Sequence, residues 1–409
     1  MINESAMPIL KTISAWQQEA CIIRKKLHAN PEIGFEEFLT RELVIKKLTE
    51  YGADKLVTHY AKTAVIGVIH GRGVLAQNSI KSKPFMLGLR ADMDALPIHE
   101  ENNFEHRSLH HEKMHACGHD GHTTILLMTA KYLCLHREDF SGTIVLIFQP
   151  AEEGLGGAKT LIEEGFLQDF PLDYCFGLHN MPGLAEGHFG FKPGVIMASS
   201  DRLFITIYGK GGHAGMPHTT QDPLLVATHI YQGFQSIISR SLDPLMPAVI
   251  SITQIHGGNT TNVIAPTAHM NGTFRTHSVT VREHLIKQMQ TITEHTARAF
   301  GMRAEFSLGP VSHPPTVNDP ECTQLAYLAA RQVVDSESIY PNYPALMGSE
   351  DFAFYLEKVK GCFVLIGNDK KDNQLIGLHN PKYDFNDAII PIGAAYFVNL
   401  VLTISKKEC

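Results

Sequence analysis

Three short apolar runs, at residues 64–69, 85–89 and 144–148, constrain the fold most, because nothing in them alternates with polar residues. A strand of that kind has no solvent side and must be covered on both faces. Between the last two runs, residues 123–135 read as a helix, and residues 10–27 and 36–51 read as two more. The first of these carries Leu10, Ile13, Trp16, Ala20, Ile23 and Leu27 at helical spacing and stops near Pro31. Strand and helix in alternation predict an α/β fold, a mainly parallel sheet with helices on both faces.

After residue 200 the texture changes. Leu203-Phe204-Ile205-Thr206-Ile207-Tyr208 alternates, as a half-covered strand does. A helix over 223–240 follows, then strands at 249–255 and 269–275, a helix at 281–300 and a strand at 302–308. That order predicts a ferredoxin-like α+β domain. The proline-rich stretch 310–315 reads as the return, so residues 200–312 are expected to be inserted between the two parts of a catalytic domain, 1–199 and 313–409.

The 409 residues carry a formal net charge of −7, and no stripe of lysine and arginine stands out. Nucleic acid and anionic membranes are therefore not expected partners. The first eight residues lack the basic opening and apolar run of a signal peptide. The apolar stretch 388–404 is interrupted by Pro391, Gly393 and Asn399 and reads as a buried helix. Seven cysteines without a short-spaced framework imply reduced thiols and a cytoplasmic location.

Chemistry concentrates at the ends of the sheet-like segments. The run Met114-His115-Ala116-Cys117-Gly118-His119-Asp120-Gly121-His122 places a thiol and an imidazole two residues apart, a pairing suited to zinc and similar ions. Taken alone, such a pair is more often a buried cysteine beside a histidine that caps a helix. Glu152-Glu153 follows the strand-like run 144–148 at the carboxyl edge of the sheet, where open α/β folds hold their sites. Neighbouring carboxylates on extended chain diverge, so one is free to bind metal while the other moves a proton. The plainer reading is an acidic helix start favoured by the dipole. His179 and His379 each close an apolar run, and Asp92 and Asp94 follow the strand 85–89, where a carboxylate could orient a metal-bound imidazole. Singly they are loop histidines and a turn; together they form a donor set that chance seldom assembles. In the inserted segment, His213 lies in the glycine-rich loop Gly209-Lys210-Gly211-Gly212-His213, placed to stabilise an oxyanion. Asn262 and Arg275 offer an amide and a guanidinium for a carboxylate.

These segments resemble the zinc-dependent aminoacylase/carboxypeptidase superfamily of metallopeptidases. The nearest likeness is its amidohydrolase branch of hippurate hydrolases, N-acetyl-amino-acid hydrolases and auxin-conjugate hydrolases. The resemblance spans nearly the whole chain. It runs from Arg24–Glu37 through Arg90–Pro97, His115–His122, Gln149–Gly154, Gly212–His218 and Gly348–Phe352 to His379. It implies a binuclear metal centre built from Cys117, His119, Glu153, His179 and His379. Glu152 would be the general base toward the attacking water and the acid toward the leaving amine, and Asp92 would orient a metal-bound imidazole. His213 would polarise the scissile carbonyl, in its own or a neighbouring subunit's site, while Asn262 and Arg275 would receive the substrate carboxylate. Arg90 stands where other branches have the histidine of a His-x-Asp pair.

The expected function is metal-dependent hydrolysis of N-acyl-L-amino acids to a carboxylate and a free amino acid. The cofactor would be two divalent ions, with zinc first and manganese, cobalt or nickel compatible with the same donors. The inserted domain would act as lid and dimerisation surface of a homodimer or higher homo-oligomer. Two other readings use the same residues: a dipeptidase or carboxypeptidase with the same chemistry, and a non-catalytic metal-binding relative.

Overall fold

A computed structural model of the chain describes residues 7–73, 84–369 and 375–408. It divides into two compact units: Met1–Ile196, Val317–Pro344 and Asp351–Cys409 form the first, Met197–Thr316 and Ala345–Glu350 the second.

The first unit is built on an eight-stranded sheet. Its strands lie in the order Lys55–Val57, Val65–His70, Thr143–Gln149, Met86–Asp92, Tyr174–Ala185, Gly361–Asp369, Phe189–Gly190, Ile339–Tyr340. Thr143–Gln149, Met86–Asp92, Tyr174–Ala185 and Gly361–Asp369 run parallel. Val65–His70 is antiparallel to its neighbours, as is Phe189–Gly190 to Gly361–Asp369. The apolar runs explain the arrangement: residues 144–149 are all buried, as are 65–69, so both faces of the sheet are covered. The helix His119–Leu135 is buried on nearly every side, and Ile125 to Met128 are wholly enclosed. The helical stretch Asp387–Glu408 is long and apolar enough to cross a membrane, but 78% of its apolar window is buried within the protein. It packs against His119–Leu135 and reads as a core helix.

One expectation needs correction. Residues 10–27 are not a single helix but two, Met7–Ser14 and Gln17–Ala29, separated at Ala15-Trp16. The apolar spacing keeps its phase across the break, so periodicity alone cannot reveal it.

The second unit is a four-stranded antiparallel sheet, ordered Ala248–His256, Thr267–Thr276, Asp201–Tyr208, Arg303–Leu308. Leu203, Ile205 and Ile207 are buried while Arg202 and Phe204 are exposed, which leaves one face covered by the helices Pro223–Ser236 and Val279–Ala299. Each helix begins with a side-chain cap: Asp222 accepts from the Leu224 amide at 2.9 Å and Ser278 from the Val281 amide at 3.3 Å. Strand, helix, two strands, helix and strand in this spatial order is the ferredoxin-like arrangement.

A buried ionic cluster pins the helix Gln17–Ala29 to the helix His119–Leu135. His28 Nδ1 lies 2.8 Å from Asp120 Oδ2 and Nε2 lies 3.1 Å from Glu100 Oε1. Arg24 reaches Asp384 at 2.8 Å and Asp387 at 2.6 Å. Burial disfavours the charged imidazole, but the hydrogen bonds to Asp120 and Glu100 outweigh it and raise His28 to about 9. A group raised in the folded state contributes stability fully below its unfolded value near 6.5 and loses it as pH climbs through about 9. Urea unfolding followed from pH 6 to 10 is therefore expected to show wild type losing on the order of 3 kcal/mol more than His28→Gln across that window. Parallel curves for the two proteins would contradict the assignment.

Candidate metal centre

The carboxyl ends of the parallel strands converge on one buried spot. Asp92 closes its strand in register with Gln149, and after Gln149 the chain turns through Pro150-Ala151 to Glu152 and Glu153. Pairing of Tyr174–Ala185 with Met86–Asp92 ends at Gly177 opposite Arg90, so His179 lies two residues further on, level with Asp92. His179 is thus inside its strand, not at its end, because pairing with Gly361–Asp369 continues beyond it. Cys117 precedes the helix His119–Leu135, and His379 lies on a loop in the left-handed backbone region, φ 62°, with its amide bonded to the Ala116 carbonyl at 2.8 Å.

Donor atoms of Cys117, His119 and Glu153 all lie within 4.8 Å of one another. Cys117 Sγ is 3.4 Å from His179 Nε2, and His379 Nε2 is 3.2 Å from Glu153 Oε1. The five side chains named from the sequence as ligands therefore meet in one place. Between Cys117 and His119, Gly118 has φ 90°, and a Cβ there would come within 2.3 Å of Asn180 Nδ2. Only glycine lets the two donors stand so close to the strand behind them.

The hydrogen bonds around the cluster fix which nitrogen each imidazole offers. His179 Nδ1 faces the Asn180 carbonyl at 2.7 Å and must donate, leaving the Nε2 lone pair toward Cys117. His119 Nδ1 faces Asp94 Oδ1 at 3.3 Å, and its Nε2 is buried without a hydrogen-bond partner among the described residues. Glu153 Oε1 has the His379 ring at 3.2 Å and no other hydrogen-bond partner among the described residues. A metal ligand whose other ring nitrogen is held by a carboxylate or carbonyl is the arrangement metal sites use.

A second cluster, Asp92, His119, His122 and His179, also has donor atoms within 4.8 Å. Its His122 is already spent: Nε2 accepts from the Asn180 amide at 2.9 Å, so Nδ1 donates to Asp92 Oδ1 at 2.7 Å. Asp92 Oδ2 accepts from Arg90 Nη1 at 2.6 Å and lies 3.8 Å from His119 Nε2. Asp92 thus orients His122 and faces His119, while the carboxylate that holds His119 Nδ1 is Asp94. The sequence offers Asp92 and Asp94 alike for orienting a metal-bound imidazole, and the carboxylate that faces His119 Nδ1 is that of Asp94. Asp94 also accepts the Glu153 amide at 2.9 Å, so it fixes two of the five donors at once.

The electrostatics fit a cation. Burial, then the charges of Glu153, Glu152 and Asp92, push the Cys117 thiol well above its ordinary range. Burial opposes ionisation of Asp92 too, but His119, Arg90 and His122 hold it well below the usual carboxylate range. Arg90, buried, also bonds Gln149 at 3.0 Å and Asp351 at 2.9 Å. A buried imidazole nitrogen without a hydrogen bond among the described residues, a thiol surrounded by carboxylates, and a Glu153 carboxylate faced by an imidazole form a set that divalent metal satisfies. Glu152 is buried beside them, its Oε1 3.4 Å from the Asp351 amide.

The remaining sequence candidates belong to the second unit. His213 and Asn262 lie together, with His213 paired to Val263 and the Ala214 amide bonded to the Asn262 carbonyl at 3.0 Å. The Gly215 amide donates to His213 Nδ1 at 3.0 Å, which leaves the proton on Nε2 of an exposed ring. Arg275 stands on a different sheet, opposite Val249, and its buried Nη1 has no hydrogen-bond partner among the described residues.

Residues 88–403 match the peptidase family M20/M25/M40. The chain is 38% identical over 400 residues to the hippurate hydrolase of Campylobacter jejuni, covering 98% of this chain and all of that one. It is 36% identical over 382 residues to an N-acetylcysteine deacetylase of Bacillus subtilis, covering 93% and 96%. Among solved structures it is similar to a dinuclear metal-binding M20 peptidase of Bacillus subtilis, with TM-score 0.81 and 33% identity over 96% of this chain and 99% of that one.

Proposed function

The chain belongs to peptidase family M20/M25/M40, and from that premise we propose how its residues carry out the reaction. It is a metal-dependent amidohydrolase that cleaves the amide of N-acyl amino acids. The observation that carries the mechanism is the convergence of buried Cys117, His119 and His179 with half-buried Glu153 and exposed His379, with Glu152 beside them.

Two divalent ions fit this donor set, and the proposed holders are those five side chains, with zinc first and manganese, cobalt or nickel alternatives. When bound, such ions polarise the carbonyl and make water more acidic. The chain's own residues do the rest. Glu152 takes the proton from the attacking water as its oxygen bonds to the carbonyl carbon, then hands that proton to the amine nitrogen as the C–N bond breaks, so the residue ends as it began. Asp94 keeps His119 turned so that Nε2 is its free nitrogen, and the Asn180 carbonyl does the same for His179. Asp92 keeps His122 and Arg90 in place. From the second unit, His213 is proposed to donate through Nε2–H to the scissile carbonyl oxygen, and Asn262 and Arg275 to bind the substrate carboxylate. The Nε2–H tautomer of His213 and the Arg275 Nη1, without a hydrogen-bond partner among the described residues, support those roles. A homodimer formed through the second unit, which also closes over the substrate, belongs to the same proposal. So does a cytoplasmic location, which the six described cysteines, all free, support.

The test is a panel of N-acetyl and N-benzoyl amino acids assayed against unmodified dipeptides, with release of free amino acid as readout. The N-acyl substrates are expected to turn over at least about tenfold faster, since no carboxylate is assigned to a substrate amine. Dipeptides as the better substrates would move the assignment to a peptidase.

A further inference from the structure

The N-terminal segment Pro31-Glu32-Ile33-Gly34-Phe35-Glu36-Glu37 carries one more buried acid, which the mechanism above does not use. Glu37 is fully buried. Its Oε1 accepts from the Ala151 amide at 2.9 Å, and its Oε2 accepts from the Thr63 hydroxyl at 2.6 Å. Ala151 is the residue before Glu152 and has φ 59°, a left-handed conformation that costs an alanine about 1 kcal/mol and persists only where its surroundings impose it.

The surroundings do impose it. The Ala151 carbonyl accepts from Gly157 at 3.0 Å, and its N–H is taken by Glu37. Gly34 packs so closely that a Cβ there would meet Ala151 Cα and Cβ at 2.9 Å. Two residues on, the Glu153 amide is held by Asp94, and Ala95 is itself tied to the N-terminal segment through its amide and the Glu32 carbonyl at 2.8 Å. The turn carrying Glu152 and Glu153 is therefore gripped at alternate amides by two buried carboxylates.

We propose that Glu37 is a positioning residue for hydrolysis: by accepting the Ala151 amide it holds the left-handed turn that aims Glu152. This rests on the reading of Glu152 as the base. An acceptor at this position holds the buried Ala151 amide, and a shift of the base on the ångström scale is enough to slow proton transfer. Burial, then the charge of Asp94, push the Glu37 carboxyl up to about 7, so a neutral amide in its place disturbs the local charge little. The amide oxygen of glutamine still accepts from Ala151, and its NH2 donates to the Thr63 oxygen.

The experiment compares Glu37→Ala, Glu37→Gln, Thr63→Val and Glu152→Gln with wild type, each as metal-loaded protein with bound metal counted. Glu37→Ala is expected to lose about 10- to 100-fold in kcat with KM within about threefold and metal content unchanged. Glu37→Gln should restore kcat to within about fivefold of wild type. Thr63→Val, which strips the other bond from Glu37 but leaves the Ala151 contact, should lower thermal stability while keeping kcat. Glu37→Ala at wild-type kcat, or Glu37→Gln and Thr63→Val as impaired as Glu37→Ala, would overturn the proposal. An active Glu152→Gln would instead refute the reading of the base on which it rests, so the two failures are separable.

Discussion

Replacing Glu152 by glutamine should abolish turnover while leaving both metals bound. The substitution preserves size, and the amide oxygen can still accept from the Asp351 amide that Glu152 Oε1 meets at 3.4 Å. What disappears is the ability to take a proton. General base and acid contributions of this kind amount to about 10²- to 10⁴-fold, and here one residue serves both steps, so a loss of at least about 10³ in kcat is expected. Because Glu152 is not among the five proposed ligands, metal content should match wild type. Steady-state kinetics on an N-benzoyl or N-acetyl amino acid, with metal counted in the same sample, reads both quantities. Activity within a few-fold of wild type would remove Glu152 from the role of base; lost metal would make it a ligand.

Stripping the metal should be equally severe for activity, and it should also destabilise the fold. Asp92, Asp94 and Glu152 are buried near half-buried Glu153, and His119 Nε2 is without a hydrogen bond among the described residues. Buried charge and unpaired polar atoms each cost stability, and a bound cation offsets both. At a free-ion concentration 100 times the dissociation constant, binding contributes about 2.7 kcal/mol per ion. Exhaustive treatment with a chelator is expected to remove activity to below about 1% and lower the melting temperature by several degrees, since about 1 kcal/mol shifts a chain of this size by a few degrees. Zinc, manganese, cobalt or nickel should restore both. The unit that melts first should be the one holding the cluster, while the second unit keeps its transition.

What the sequence made legible was local. Cys117-Gly118-His119 and Glu152-Glu153 stand out because their donors are close in sequence and sit where apolar strands stop. Strand positions 144–148 and 203–208 were readable for the same reason: burial on both faces or one writes itself into neighbouring residues. Long-range partnerships leave no such trace. Nothing near Asp94 announces that it bonds both His119 and the Glu153 amide, and nothing near Arg90 announces Asp351, 261 residues away. His122 is outside the ligand set read from the sequence, but that Asp92 and Asn180 occupy its two nitrogens is a contact only the fold makes. The break at Ala15-Trp16 was hidden by an apolar phase that continues through it. Glu37 belongs with these: its motif was visible, but its contact with Ala151, 114 residues on, is made only by the fold.

The central claim is a two-metal hydrolytic centre. It is tested most directly by titrating chelator-treated protein with zinc while recording bound metal and release of amino acid from an N-acyl substrate. Activity should rise with occupancy and level off at two ions per chain, and substitution of Cys117 or His119 should lower that count. Full turnover in protein that holds no metal, or a count that those substitutions leave unchanged, would contradict it.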